Sequence, residues 1–359
     1  MSQQTAVNEQ VLGEYLATKL NLTLPIQCEK FSHGQSNPTF LVIDSSSPAQ
    51  KFVVRKKPSG ALISKTAHAV EREYRIIKAL GQTPVPVPKV FDLCTDNSIL
   101  GTPFYVMEYL DGRIFKDPML PELADNRTRE QYYMEMVRVM AALHNVDYRK
   151  VGLDGYGKHG GYYSRQAKSL TKVHKLQAET IAKSTGGATD GTLPRFNELV
   201  DWLLANPCPD DITIAHGDYK LDNVVFHKTE PRIIGVLDWE LSTIGNPRAD
   251  LANMLQYMAL GPLDASSPAT YNPNITIPSE SMIIRRYCNL THRSYPLQGM
   301  VYAKAFSLLR NAVIAHGIKA RLSIGQASSS AAALAADNGP ERISEALNVI
   351  YSSHPQSKL

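Results

Sequence analysis

Residues that could carry out chemistry are concentrated between positions 212 and 250, in ITIAHGDYKLDNVVFHKTEPRIIGVLDWELSTIGNPRAD. Asp218 is followed five positions later by the amide Asn223, and a second carboxylate, Asp238, lies fifteen residues after that. Phosphoryl transfer needs a group that takes or orients the proton of the attacking hydroxyl, and oxygen ligands that hold Mg²⁺ against the nucleotide phosphates. Asp218 fits the first requirement, and Asn223 and Asp238 fit the second.

A cation lies beside the candidate base. Lys220, two residues past Asp218, could neutralise charge on the phosphoryl group during transfer. Taken alone, each Asp or Asn could instead be an ordinary turn residue at the end of a strand. The strand-like runs 212–215, 224–227 and 233–237 would place these side chains at hairpin ends, where a rigid base supports functional loops. The joint pattern favours catalysis.

The two motifs together resemble a known catalytic signature. HGDYKLDN followed by VLDWE is similar to the signature of the aminoglycoside phosphotransferase and choline kinase group, which is distantly related to the protein kinases. Across residues 10–350 the chain resembles the phosphotransferase-like domain that occurs alone in some proteins and fused to acyl-CoA dehydrogenases in others. The resemblance implies an α+β, two-lobe protein-kinase-like fold, with an N-lobe over residues 1–110 and a helical C-lobe over 111–359.

The predicted N-lobe contains a lead-in helix at 9–20, a hairpin at 31–42 and a basic strand at 51–57. The polar turn of the hairpin, with Ser36 and Asn37, could bring backbone N–H groups against phosphates, although an ordinary hairpin turn is the alternative. The resemblance places Arg55 as the phosphate-orienting cation and Glu73, on a predicted helix at 67–80, as its partner. Lys56 is the alternative cation.

Phe104–Leu110 is predicted to be a buried strand, which in the fold that the resemblance implies would become the hinge between the lobes. By resemblance, the backbone from Glu108 to Leu110 would receive the adenine edge of ATP or GTP, and Met107 would line that pocket. Plain core packing is an equal reading of Met107, because Met often fills irregular gaps in a core.

The predicted C-lobe is mostly helical, with helices at 127–146, 281–288 and 298–321 and a helix that starts at Arg248. His144, at the end of the first, is interpreted as structural. Asp250 resembles a buried acid that braces the catalytic loop. Scattered helix cations, among them Arg310, could meet an anionic acceptor, although most such cations only face solvent. Residues 261–280 form a Pro/Ser/Asn-rich insertion without a regular period.

Composition limits the function classes. The chain of 359 residues has a net charge of +4 without a Lys/Arg block that would indicate nucleic-acid binding. The four cysteines are far apart, which disfavours a disulfide framework or a zinc site. We expect no membrane span, because no apolar run approaches about 20 residues. The tripeptide Ser357-Lys358-Leu359 matches a peroxisomal address, so we expect a peroxisomal location and recognition by the peroxisomal import receptor.

The sequence thus predicts an ATP- or GTP-dependent, Mg²⁺-dependent phosphotransferase that acts on a hydroxyl group of a small molecule. The resemblance and the peroxisomal address favour a 4-hydroxyacyl-CoA as acceptor. An aminoglycoside is disfavoured, because such polycations need an acidic pocket. The alternatives are a kinase of a sugar or choline-like alcohol, or a nucleotide-binding pseudokinase that acts as a scaffold.

Overall fold

The computed structural model describes residues 7–31, 37–58, 69–260, 272, 274–326 and 330–353. The strands are β1 (Gln27–Lys30), β2 (Thr39–Ile43), β3 (Lys51–Lys56), β4 (Val90–Cys94), β5 (Phe104–Glu108), β6 (Thr213–Ala215), β7 (Val224–Phe226), β8 (Ile233–Val236) and β9 (Thr243–Gly245). The helices are α1 (Glu9–Ala17), α2 (Val70–Leu80), α3 (Asn97–Leu100), α4 (Asn126–His144), α5 (Tyr162–Ser184), α6 (Phe196–Ala205), α7 (Arg248–Leu260), α8 (Glu280–Thr291), α9 (Met300–Ser323), α10 (Ser330–Asp337) and α11 (Gly339–Ser353). Short 3-10 helices cover Asp154–Tyr156, Leu221–Asn223 and Trp239–Leu241.

The chain divides into two compact units. Unit 1 comprises Met1–Arg113, Arg149–Leu153 and Asn223–Ser242, and unit 2 comprises Ile114–Tyr148, Asp154–Asp222 and Thr243–Leu359. The first segment of unit 1 therefore extends past the predicted boundary at residue 110, and the unit also includes part of the catalytic stretch. The backbones of Arg113 and Phe226 explain this, because each N–H donates to the other's carbonyl at 2.8 Å and ties β7 to the first segment.

Unit 1 is built on an antiparallel sheet with the strand order β1-β2-β3-β5-β4. Side chains alternate between its faces, and one face packs against Leu12 and Leu16 of α1 through Val42 of β2, Phe52 and Val54 of β3, and Phe104 and Val106 of β5. The opposite face carries Arg55 and Tyr105, which are directly paired across β3 and β5. Helix α2 lies against that face and buries Glu73 together with its apolar stripe.

Unit 2 is mostly helical, with α9 buried along much of its length. Its only paired strands within the described ranges are β6 and β9. Asp125 and Ser279 accept hydrogen bonds from backbone N–H groups at the starts of α4 and α8, which satisfies donors that a helix leaves unpaired. No helix within the described ranges is both long and apolar enough to span a membrane.

The predicted helices are present, with ends that differ from the predictions by a few residues. Helix α2 begins at Val70, and the predicted start at 67 lies outside the described residues, as does most of the 261–280 insertion. Strands β4 and β9 are not apparent from the sequence. Each is short and lacks a strong run of β-branched residues, so only its pairing with a neighbour identifies it as a strand.

Candidate active site

In unit 1, Arg55 and Glu73 form a buried ion pair. Arg55 Nε lies 2.9 Å from Glu73 Oε2, and the two side chains are 10% and 1% exposed. Glu73 also accepts hydrogen bonds from Asn37 Nδ2 at 2.7 Å and from the Tyr105 hydroxyl at 3.1 Å. The predicted partners therefore meet, and Asn37 and Tyr105 hold the carboxylate in place.

Lys56 has a different environment from Arg55. Its ammonium group donates to the Leu100 carbonyl at 2.8 Å, on the other face of β3. Burial lowers the pKa of Lys56, whereas neighbouring carboxylates hold the pKa of Arg55 above its usual range despite burial. Of the two candidate cations, Arg55 is the one that contacts Glu73.

Burial raises the pKa of Glu73 to about 7, although the Arg55 cation acts in the opposite direction. The nearby carboxylates of Asp238 and Glu240 add to the rise. Arg55 thus faces three acids: Nη2 lies 2.7 Å from Asp238 Oδ1 and 3.5 Å from Glu240 Oε2. Three carboxylates around one guanidinium leave an excess of negative charge at this site.

The two predicted metal ligands lie at one end of the β7–β8 hairpin. Val224 pairs with Val236, and the next residue along, Leu237, donates its N–H to the Asn223 carbonyl at 2.9 Å. Asp238 follows with a positive φ of 61°, a left-handed conformation that Asp and Asn adopt more readily than most residues. This turn brings Asn223 and Asp238 to the same hairpin end.

The donor atoms at this hairpin end fit Mg²⁺. An amide and a carboxylate supply oxygen, which is the ligand atom that Mg²⁺ prefers. Among the described residues, no three His, Cys, Asp or Glu side chains are grouped so that they could hold a metal by themselves.

The remaining predicted nucleotide contacts are placed as follows. Met107 is 8% exposed, and Glu108 lies at the end of β5, where its N–H donates to the Lys89 carbonyl at 2.8 Å. The Leu110 carbonyl accepts from the Gly112 N–H at 3.1 Å. Adenine recognition by this stretch would therefore use its other backbone groups. Ser36 lies outside the described residues, and the amide nitrogen of Asn37 is engaged by Glu73.

In unit 2, the predicted base is surrounded by cations and an amide. Asp218 Oδ1 accepts from Arg310 Nη2 at 3.2 Å and from Asn253 Nδ2 at 3.3 Å. Lys220 Nζ lies 3.4 Å from Asp218 Oδ2 and the same distance from Asp222 Oδ2. Burial opposes the charge of Lys220, but both carboxylates outweigh it and raise its pKa, so this group stays a cation.

The loop that carries Asp218 is braced by Asp250 of α7. Asp250 Oδ2 accepts from the His216 N–H at 2.7 Å, and Oδ1 accepts from the Gly217 N–H at 2.8 Å. His144 Nε2 lies 3.1 Å from the same carboxylate. Burial alone would raise the pKa of Asp250, but His144 and the His216 backbone outweigh it and hold that pKa below its usual value.

Gly217 requires special backbone geometry. Its φ is 84°, which glycine adopts without the steric cost that a side chain would add. The resulting turn directs its N–H to Asp250, while its carbonyl accepts from Arg310 Nη1 at 2.5 Å. Local geometry and two helices, α7 and α9, thus fix the position of the next residue, Asp218.

Sequence reasoning does not identify Asn253, Asp222 and Glu240 as site residues, and it does not distinguish Arg310 from other helix cations. Arg310 lies 92 positions from Asp218, so only tertiary packing brings the two together. Asp222 and Glu240 lie within the recognised motifs, and their acidic character beside Lys220 and Asp238 is a signal that could have identified them.

The chain is similar to known phosphotransferase sequences. A sequence model of the family described as the phosphotransferase enzyme family matches residues 27–271. The chain is 41% identical over 337 residues to acyl-CoA dehydrogenase family member 10 of Mus musculus, covering 91% of this chain and 30% of the mouse protein. The chain spans less than half the length of the curated relatives it matches.

Solved structures share the fold. A crystal structure from Ralstonia eutropha, of a protein assigned to the aminoglycoside phosphotransferases, has a TM-score of 0.82 and 35% identity, covering 97% of this chain and 99% of that chain. An aminoglycoside phosphotransferase in a ternary complex with ADP and hygromycin B has a TM-score of 0.60 at 15% identity, covering 95% and 98% of the two chains. The predicted fold class, α+β with a two-lobe protein-kinase-like fold, is confirmed.

Proposed function

The chain belongs to the phosphotransferase enzyme family, and from that premise we propose that it transfers the γ-phosphoryl group of ATP to a hydroxyl group of a small molecule. The observation that carries the proposal is the arrangement around Asp218. A carboxylate on a loop braced by Asp250 has Lys220 on one oxygen and Arg310 on the other. A fixed carboxylate flanked by cations suits a reaction that depends on positioning and charge stabilisation.

In this mechanism Asp218 orients the acceptor hydroxyl and accepts its proton. The hydroxyl oxygen forms the new bond to the γ-phosphorus, the bond from that phosphorus to the bridging oxygen breaks, and ADP leaves with the electron pair. Lys220 offsets the negative charge of the transferring group. Mg²⁺, held through Asn223 and Asp238, would supply further positive charge against the nucleotide phosphates.

The unit 1 residues bind and orient the nucleotide in this proposal. The Arg55–Glu73 pair positions the phosphates, because a guanidinium held at Nε by one acid keeps other N–H donors for further partners. The hinge stretch Met107–Leu110 would receive the adenine. A nucleotide is found in a relative of the same fold, whose structure was solved as a complex with ADP. GTP is the alternative donor, and a comparison of the two nucleotides in the same assay distinguishes them.

We propose a 4-hydroxyacyl-CoA as the acceptor. The mouse relative at 41% identity is named as an acyl-CoA dehydrogenase family member, which supports an acyl-CoA substrate for the phosphotransferase-like region it shares with this chain. Around Asp218, Lys220 and Arg310 balance the carboxylates of Asp218 and Asp222, so these residues do not provide the excess negative charge that would favour a polycation such as an aminoglycoside. Sugars and choline-like alcohols are the competing acceptors.

Mass spectrometry tests reaction and acceptor together. The protein is incubated with ATP, Mg²⁺ and a mixture of 4-hydroxyacyl-CoAs, simple alcohols, sugars and an aminoglycoside. We expect one phosphate to be added to the acyl-CoA, and we expect Asp218→Ala to abolish that product while nucleotide affinity stays nearly unchanged. Full activity of Asp218→Ala would exclude this residue as the base. If ATP binds but no acceptor gains phosphate, the hypothesis of a nucleotide-binding pseudokinase is favoured.

We also propose a peroxisomal location, supported by the tripeptide Ser357-Lys358-Leu359, which lies outside the described residues. Imaging of the protein with a fluorescent tag at its N-terminus tests this. Colocalisation with a peroxisomal marker that is lost on removal of the three residues is the expected result.

A further inference from the structure

A cavity of about 360 Å³ lies in unit 2 between α7, the start of α8, α9 and α11. Its apolar walls come from Leu255 and Leu260 of α7, Leu308 of α9 and Val349 of α11. Apolar cavities of this size are in the range that binds small organic ligands. Leu260 is 36% exposed, so an apolar side chain at this cavity remains open to solvent.

The charged groups around the cavity are paired with one another. Lys304 Nζ lies 3.0 Å from Glu280 Oε1 and 2.9 Å from Oε2. Glu345 Oε2 accepts from Arg342 Nη1 at 2.9 Å. Because these charges are compensated within the protein, the cavity favours an uncharged aliphatic chain over a charged head group.

Helix α7 connects the cavity to the base. Asn253 donates to Asp218, the ring of Tyr257 lies 5.9 Å from Lys220 Nζ, and Leu260 lines the cavity. These three positions have the i, i+4, i+7 spacing of one helix face. At 1.5 Å per residue, the helix rises about 10 Å from Asn253 to Leu260, which a medium-length aliphatic chain can span.

Helix α9 also carries one residue that contacts the base and others that line the cavity. Arg310 contacts Asp218, and Ser307, about one turn earlier, donates to Gln256 of α7. Gln256 lines the cavity together with Leu308. The two helices that hold the base therefore form the cavity walls one to two turns further on.

We propose that this cavity binds the aliphatic chain of the acceptor, on the side of the hydroxyl carbon opposite the thioester. The inference rests on the proposed function and adds a length preference to it. An acceptor without a tail would bind through its head group alone. Each methylene placed in the cavity should tighten binding up to about fourfold, given about 0.8 kcal/mol per buried CH₂.

Calorimetry with acyl-CoAs that lack the hydroxyl tests the cavity without requiring phosphoryl transfer. Butyryl-CoA and decanoyl-CoA are titrated into the full chain and into Ala259→Trp, in which an exposed cavity residue is replaced by a large one. Asn348→Trp is a second filling variant from α11, and Ser344→Trp is the matched control on an exposed position of the same helix that does not line the cavity.

We expect decanoyl-CoA to bind at least tenfold more tightly than butyryl-CoA to the unmodified chain and to Ser344→Trp. Both filling variants should lose most of that difference. Equal affinity for the two ligands, or a difference that survives in both filling variants, would overturn the assignment. A filling variant that changes the oligomeric state on size-exclusion chromatography but keeps the tenfold difference would overturn it too, and would indicate an interface between copies.

The same variants separate failure of this inference from failure of the proposed function. If 4-hydroxyacyl-CoAs are phosphorylated with a kcat/KM that does not depend on chain length, the proposed phosphoryl transfer is supported and the cavity assignment is wrong. If no acyl-CoA is phosphorylated but the decanoyl preference is present and is lost on filling, the cavity does bind an acyl chain, whereas the proposed acceptor, and with it the role of the cavity in phosphoryl transfer, is wrong.

Discussion

At the scale of single residues, the surroundings of Asp218 distinguish it from an ordinary turn aspartate. One oxygen accepts from Arg310 and Asn253, and the other lies near Lys220. A base that acts in a loose transition state needs accurate placement more than high basicity. We therefore assign Arg310 as a positioning residue, which holds both the carboxylate and the Gly217 carbonyl.

Replacing Arg310 by Gln should lower kcat by about 10²-fold, because Asp218 loses a contact that fixes its orientation. The KM for ATP should change little, and Arg310→Lys should recover part of the loss because it restores the charge without the two-pronged geometry. Steady-state kinetics measure both constants. Arg321→Gln, on an exposed position of the same helix, is the control and should retain full activity. An unchanged kcat in Arg310→Gln would remove this role.

At the scale of secondary-structure elements, a pair of histidines ties the 185–195 loop to α5 and α9. His174 Nε2 accepts from the Leu193 N–H at 3.0 Å, and its ring stacks on Phe196 at 3.8 Å and on His316 at 4.9 Å. His316 Nε2 donates to the Gly191 carbonyl at 2.8 Å. His174 must be unprotonated at Nε2 to accept, so this connection depends on its neutral form.

The stability of the protein should therefore depend on His174 at mildly acidic pH. Burial and His316 lower the pKa of His174 to about 4, although Asp190 acts in the opposite direction. Burial also lowers the pKa of His316, and Lys319 adds to that effect. The unfolded chain binds the His174 proton more tightly than the folded protein. The free energy of unfolding contributed by this site is thus complete above pH 6.5 and falls as the pH drops towards 4.

Urea unfolding between pH 7 and 4.5 measures this effect. We expect the unmodified protein to lose on the order of 2 kcal/mol more than His174→Gln across that range, since Gln keeps an acceptor but does not titrate. His159→Gln changes an exposed histidine, and its free energy of unfolding should depend on pH as that of the unmodified protein does. If the free energy of unfolding falls equally with pH in His174→Gln and in the unmodified protein, a group other than His174 causes the loss of stability.

At the scale of the whole molecule, the catalytic signature is divided between the two units. Asp218 and Lys220 belong to unit 2, whereas Asn223 and Asp238 belong to unit 1 together with Arg55 and Glu73. The predicted nucleotide and metal residues are thus collected in one unit. A ligand that binds only the folded protein stabilises it, by about 2.7 kcal/mol when the free ligand concentration is about a hundred times its Kd.

ADP together with Mg²⁺ should therefore raise the unfolding temperature more than ADP alone. In Asp238→Asn the additional shift caused by Mg²⁺ should disappear, because the carboxylate that would hold the ion is lost. Thermal unfolding is measured for each protein without ligand, with ADP, and with ADP plus Mg²⁺. Each shift is taken relative to the same protein without ligand, so stability lost with the Arg55–Asp238 contact is not counted as loss of metal binding. Glu29→Gln removes an exposed acid of the same unit and should keep the Mg²⁺ effect. A full Mg²⁺ effect in Asp238→Asn would contradict the ligand assignment.

The sequence by itself determined the family, the fold class and the residues in short-range motifs. Asp218, Lys220, Asn223 and Asp238 lie within 21 positions, so residue type and spacing alone indicate their chemistry. Glu73 lies outside these motifs, and only the family resemblance selects it as the partner of Arg55, since the same predicted helix also carries Glu71. Helices were also readable, since a 3.6-residue apolar period is a local property.

Only the tertiary structure decided which distant side chains meet these motifs. Arg310 and Asn253 reach the catalytic loop from α9 and α7, and nothing in the local sequence separates Arg310 from the other cations of α9. The choice of Arg55 over Lys56 likewise depends on which face of β3 meets α2. The cavity beside α7 exists only between packed helices. Contacts between residues far apart in the chain depend on how elements pack, which local spacing does not specify.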